Sequence, residues 1–166
     1  MARRFRGEIV QKVDGKGRVS IPAPFRRVLE EGDPDWTDGL RPELILVYGG
    51  QSQKYIEGYS VRAMDDIEEA IESMPYGDDR SAMEMNYSTK SLQINIDDTG
   101  RIILNPVIVE KLSLNGEVVF AGTVKTFQIW RPDVYKIYSE QHEASLAERG
   151  VGFDLRQVLN LSLIHI

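Results

Sequence analysis

The sequence predicts an α+β fold made of two tandem repeats, and three observations lead there. One turn phrase, Asp-x-x-x-Arg with Gly just before the Arg, occurs at Asp14–Arg18 and again at Asp97–Arg101, 83 residues later. Short apolar or alternating runs flank both copies, as strands do. Each half then closes on apolar residues spaced by three and four, the signature of one helix face. A repeat of this length governs the reading of the whole chain.

The elements follow in order. Glu8–Val13 reads as a strand, Asp-Gly-Lys-Gly as a turn, and Arg18–Ile21 as the return strand. Pro22–Glu30 reads as a short helix, with proline tolerated in its first turn. Leu44–Tyr48 is an apolar strand broken by Gly49-Gly50, and Tyr55–Glu57 returns. Val61, Met64, Ile67, Ile71 and Met74 share a helix face, with Ser60 as its N-cap. Asp78–Lys90 reads as a partly helical connector.

The second half repeats the scheme. Leu92–Ile96 and Arg101–Leu104 are strands around Asp-Asp-Thr-Gly, and Pro106–Leu112 is a short helix. Val118–Ala121 is a strand broken by Gly122, and Phe127–Trp130 returns. From Pro132 onward Tyr135, Tyr138, His142 and Leu146 line one helix face, a stripe expected to be core. Val19, Ile21 and Leu29 fall on Ile102, Leu104 and Leu112 when the two turns are aligned. Leu155, Val158 and Leu159 suggest a last short helix, and LSLIHI reads as an irregular tail. The expected division is residues 1–77 for the first repeat, 78–148 for the connector and second repeat around one shared core, and 149–166 for a C-terminal helix and tail.

Composition narrows the function. The chain has 166 residues, 42% hydrophobic and 28% charged, as expected for a folded domain or two small ones sharing a core. No apolar run reaches the roughly 18–20 residues that span a bilayer, and no signal-peptide pattern follows the basic start, so a cytoplasmic location is expected. Cysteine is absent, which removes disulfides, thiolate catalysis and cysteine zinc sites. The two histidines, His142 and His165, have no ligand spacing, so no metal or other cofactor is expected.

The net charge of −6 is unevenly distributed. Residues 1–29 hold eight Lys or Arg and two acids, a balance of +6 that leaves −12 for the rest. Such a split points to a polyanion-binding face on an otherwise acidic protein. The repeated motif has chemistry to match. Asp caps a turn by accepting backbone N–H bonds, and Gly tolerates positive φ. Asp14 with Arg18, and Asp97 with Arg101, stand at i and i+4 across such turns and can meet as ion pairs. An exposed pair is worth only about 0–1 kcal/mol, so its value lies in fixing the guanidinium. A basic hairpin end suits the major groove, where Arg forks onto guanine. Lys16, Lys12 and Arg6 would meet phosphates. The bland alternative is that both pairs merely pin turns.

FRGEIVQKVDGKGRVSIPAPFR, a second DDTGRIIL and the later FQIWRPDVY resemble the MraZ family of the AbrB-like swapped-hairpin group. The resemblance runs from about residue 4 to residue 160. It implies a pseudo-two-fold β-barrel of two swapped-hairpin repeats with flanking helices, assembled as a homo-oligomeric ring. It implies a nucleoid-associated regulator of transcription that binds direct repeats in double-stranded promoter DNA, upstream of a division and cell-wall operon. The family's DNA-contacting phrase falls on Lys16, Arg18 and Arg101, with Arg6, in the early Phe-Arg-Gly phrase, in support; Lys12 joins the DNA-binding set on its charge alone. Asp14, Gly17, Asp97 and Gly100 would hold the turns. The second turn departs from the first: it carries Asp98 and Thr99 where the first has Gly15 and Lys16, so it should attract phosphate less.

Enzymatic readings fare poorly. Asp98-Thr99-Gly100 resembles an aspartic-protease triplet, but the matching place in the first half, Gly15-Lys16-Gly17, has no partner Asp. There is no P-loop phrase and no GxSxG elbow, so no small-molecule substrate is indicated. A partner-binding, antitoxin-like module is the alternative function. The two repeats argue against it, because they leave little chain for a partner-binding tail.

Overall fold

The computed structural model describes residues 2–150 and 154–164. The chain divides into two compact units, Met1–Pro132 and Asp133–Ile166. The first holds the strands β1 (Glu8–Lys12), β2 (Arg18–Ser20), β3 (Glu43–Val47), β4 (Ile56–Ser60), β5 (Ser91–Asn95), β6 (Arg101–Ile103), β7 (Glu117–Thr123) and β8 (Thr126–Trp130). Its helices are α1 (Ala23–Glu31), α2 (Val61–Glu72), α3 (Asp78–Glu84) and α4 (Pro106–Leu112), with a π-helical turn at Met85–Thr89.

Among the described residues the strands form two antiparallel sheets. Six make one sheet in the order β1-β7-β8-β4-β3-β5, and β2 pairs with β6 in the other. Exchanging the halves, β1 for β5, β3 for β7 and β4 for β8, turns the six-strand order into its own reverse. The centre of that exchange lies between β4 and β8, where Glu57 stands opposite Gln128. Each half gives its first strand to the other: β1 pairs with β7, and β5 with β3. β1 and β5 are the edges of the large sheet, and no closed barrel forms among the described residues.

The strand and return strand read around each Asp-x-x-x-Arg turn do not pair with each other. β1 and β2 leave the same turn for different sheets, as do β5 and β6. The reason lies in the residues between. Val19, Ile21, Ile102 and Leu104 are all at most 2% exposed, so the return strands are drawn down onto a common core. Helices α1 and α4 follow with Phe25 and Leu29, or Ile108 and Leu112, buried one turn apart. The aligned apolar positions therefore occupy matched places in one core, together with Phe5, Phe120 and Phe127. Phe25 lies within 6.1 Å, ring centre to ring centre, of each of those three rings.

Ser60 Oγ accepts from the Ala63 N–H at 3.1 Å, and Asn105 Oδ1 from the Ile108 N–H at 3.1 Å. Gly122 does not end a strand but lies inside β7. A Cβ there would stand 2.5 Å from the crossing Phe5–Arg6 backbone, so the glycine serves close approach.

The second unit contains α5, which begins at Pro132 and ends at Ala147, and α6 (Arg156–Ile164). The stripe expected to be core is not: no residue of α5 is buried. Tyr135 and Tyr138, then Tyr138 and His142, instead lie ring to ring at 6.5 and 6.2 Å. Part of the expected irregular tail is helical, since α6 runs to Ile164, while His165 and Ile166 lie outside the described residues.

Candidate nucleic-acid interface

The two repeated turns have nearly the same backbone construction. In the first, the Asp14 N–H donates to the Arg18 carbonyl at 3.0 Å and the Gly17 N–H to the Asp14 carbonyl at 3.0 Å. In the second, Asp97 donates to Arg101 at 2.8 Å and Gly100 to Asp97 at 3.0 Å. Gly17 and Gly100 have φ of 81° and 79°, the left-handed region that glycine enters without steric cost.

The Asp side chains finish each turn. Asp14 Oδ1 accepts from the N–H groups of Lys16 and Arg18, both at 2.9 Å, and Oδ2 accepts from Arg18 Nε at 2.7 Å. Asp97 Oδ1 accepts from the N–H groups of Thr99 and Arg101, both at 2.9 Å, and from the Thr99 hydroxyl at 2.8 Å. Arg101 Nε donates to Thr99 Oγ1 at 2.7 Å and stands 3.4 Å from Asp97 Oδ2. These bonds favour the charged carboxylates. Asp14 titrates at about 2 instead of 3.8, chiefly through the Arg18 backbone N–H and then its side chain. Asp97 also titrates at about 2, chiefly through the Arg101 backbone N–H.

β2 and β6 bring the turns together. Arg18 stands opposite Ile103, Val19 opposite Ile102, and Ser20 opposite Arg101. Side chains alternate across a strand, so Val19 and Ile102 face the core while Arg18, Ser20, Arg101 and Ile103 share the outer face. Arg18 and Arg101 are diagonal neighbours there, ~7–8 Å apart at the backbone. Each spends its Nε on its own turn, which leaves the other four N–H donors of each guanidinium without a partner among the described residues. Two forked cations fixed side by side can grip phosphates or base edges.

Of the other expected residues, Lys16 is exposed on the first turn and Lys12 exposed at the end of β1 leading into it. Arg6 is not part of this cluster: it precedes β1, and all of that strand separates it from Asp14. The basic N-terminus is thus divided. Arg3 and Arg4, with Arg62 and Lys125, line a separate concavity of ≈ 220 Å³ that also holds Glu31 and Asp66. Arg3 there is paired with Glu31 at 3.5 Å.

Two cations at the second turn escaped the sequence reading. The Arg26 side chain of α1 lies over Gly100, so that a Cβ on Gly100 would meet Arg26 Cζ at 3.0 Å and Cδ at 3.2 Å. Arg41 forms an ion pair with Asp98. The loop carrying Arg41 is shaped by the buried carboxylate of Asp33, which accepts from the N–H groups of Asp35 at 3.0 Å and Glu43 at 2.9 Å. Arg26 lay in the basic stretch but had no visible target. Arg41 had no signal at all, because its partner is 57 residues away in sequence. The protease-like Asp98-Thr99-Gly100 is a turn, with Thr99 bonded to Asp97 and Arg101. Among the described residues no cluster of three or more potential ligands is placed to hold a metal, and no helix is long and apolar enough to cross a membrane.

The pattern of a family described as "MraZ protein, putative antitoxin-like" matches residues 89–152. A protein of Ruegeria pomeroyi named "Transcriptional regulator MraZ" is 44% identical over 149 residues, covering 89% of this chain and 87% of the relative. One of the same name from Cereibacter sphaeroides is 48% identical over 143 residues, 81% of this chain and 84% of the relative. A third, from Parvibaculum lavamentivorans, is 32% identical over 137 residues, 81% of this chain and 80% of the relative. The chain belongs to the MraZ family.

Proposed function

We propose that the chain is a sequence-specific DNA-binding regulator of transcription and not an enzyme. The observation that carries this reading is the pair Arg18 and Arg101, diagonal neighbours on the exposed face of the β2–β6 ribbon. Each is anchored through Nε and has donors to spare. The curated relatives are named transcriptional regulators, which supports the same reading. In it, the Arg pair reads the duplex while Lys16 and Lys12 meet phosphates.

The finer fold reading is a pseudo-two-fold barrel of tandem swapped-hairpin repeats. The exchange of first strands between the halves supports it, as does the packing of the ribbon on the shared core. The first repeat spans 1–77, the connector and second repeat 78–148, and a C-terminal segment 149–166. Copies assemble in a ring that presents many ribbons to direct repeats in the promoter of the division and cell-wall operon. Linked contacts of that kind raise avidity by roughly 10²–10⁴. The protein then acts on the nucleoid within the cytoplasm. The antitoxin-like description of the matching family favours a second reading, a partner-binding module of the same fold.

Nuclease protection of the DNA upstream of the protein's own gene separates the two. The regulator reading predicts evenly spaced protected repeats. Unprotected DNA together with a co-purifying protein partner would favour the module.

A further inference from the structure

The second turn is electrostatically poorer than the first, and the structure shows how that is offset. Within the first turn Lys16 and Arg18 outweigh Asp14. Within the second, Asp97 and Asp98 outweigh Arg101 by one charge. Two cations from the first half reach this deficit. Arg41 pairs with Asp98, a carboxylate that is 82% exposed and would otherwise repel an approaching phosphate. Arg26 covers Gly100, and no carboxylate among the described residues pairs with its guanidinium. Together they turn the deficit of one into an excess of one. The arrangement is not repeated on the other side. The position matching Arg26 in the second half is Val109, and the first turn carries its own Lys.

We propose that Arg26 and Arg41 complete a phosphate-binding site on the second turn, Arg26 as a direct contact to the DNA backbone and Arg41 by neutralising Asp98. Glycine at position 100 belongs to the design, because any side chain there would displace Arg26. The proposal rests on the DNA-binding reading above and assigns it two residues outside the repeated motif. The first half of the chain thereby contributes to the second half's turn. The contact is to phosphate, so it adds affinity without sequence preference.

The test is a fluorescence-anisotropy titration of the full chain from 50 to 200 mM salt, on duplex from upstream of its own gene and on a scrambled duplex. Arg18→Ala is the reference. Arg26→Gln should weaken binding to both duplexes and reduce the slope of log K against log salt by about 0.9, one phosphate contact. Arg26→Lys should restore the slope. Arg41→Ala should weaken binding, Asp98→Asn should strengthen it, and the double variant should return to wild type. If Arg18→Ala loses binding while Arg26→Gln and Arg41→Ala bind like wild type, the proposal is overturned and the regulator reading stands. Full binding by Arg18→Ala, Arg26→Gln and Arg41→Ala alike would overturn both. Circular dichroism of each variant confirms that the fold is retained.

Discussion

Arg18 and Arg101 lie diagonally across the three-pair β2–β6 ribbon, on its outer face, although 83 residues separate them in sequence. Each is held by an aspartate four residues earlier, and the residues between them on the opposite face, Val19 and Ile102, are buried. The paired arginines and the core thus use alternate positions of the same short strands, so the side chains proposed to read DNA can change without disturbing the core.

Replacement of Arg18 by alanine should reduce specific DNA affinity ~5- to 150-fold, the loss of one forked base contact. Arg101→Ala should cost less, because Arg101 is bonded through Thr99 and lies farther from its aspartate. Neither should move the melting temperature much, since exposed ion pairs contribute about 0–1 kcal/mol. Binding titrations alongside thermal melts check both statements. Loss of folding in Arg18→Ala would reassign the pair to pinning the turn.

Lys16→Ala should lower affinity equally for specific and scrambled DNA and reduce the salt slope by about 0.9. An unchanged slope removes Lys16 from the phosphate contacts.

Gly17 and Gly100 should respond differently to alanine. Both occupy positive φ, a strain of ~1–3 kcal/mol for other residues. At Gly17 the added Cβ would also stand 2.5 Å from the Leu104 carbonyl oxygen, a backbone atom that cannot step aside. At Gly100 it meets the movable end of Arg26. Thermal denaturation should therefore show the larger loss for Gly17→Ala, and the larger loss of DNA affinity per degree of melting temperature for Gly100→Ala.

Acid should weaken the fold through the two turns. Asp14 and Asp97 titrate at about 2 in the folded protein and near 3.8 unfolded. Their contribution is present above pH ~4 and is lost as pH falls from there towards about 2. The Asp14→Asn/Asp97→Asn variant should show a shallower fall in melting temperature across that window than wild type. Parallel curves would mean that the carboxylates are not stabilised by folding.

Phe25→Ala should destabilise the protein by ~3–5 kcal/mol, because the ring is fully buried among Phe5, Phe120 and Phe127. The same helix carries Arg26, so DNA affinity should fall along with stability in urea-titration and binding series.

The repeat made much of this legible from the residues alone. The alignment of Val19, Ile21 and Leu29 with Ile102, Leu104 and Leu112 identified matched core positions, and all six are buried. The Asp-x-x-x-Arg spacing identified the turns and their ion pairs. Strand pairing was not legible from the residues, because hydrophobic alternation says which face is buried and not which strand is the neighbour; strand exchange was expected only as what the family resemblance implies. Arg41 was invisible because its meeting with Asp98 depends on a loop shaped by Asp33. Arg6, expected from the Phe-Arg-Gly phrase, stands at the far end of β1 from the Asp14 turn, a separation that a sequence phrase does not encode. The Tyr135–Leu146 stripe reads as core in the sequence because periodicity identifies an apolar face without saying whether anything covers it.

The most direct measurement of the central claim is a salt-dependent titration of wild type and Arg18→Ala on DNA from upstream of the protein's own gene and on a scrambled duplex. The predicted result is tight, salt-sensitive binding by the wild type with a clear preference for the upstream DNA, and loss of that preference in a folded Arg18→Ala. Equal binding of both duplexes by wild type and variant at every salt concentration would contradict it.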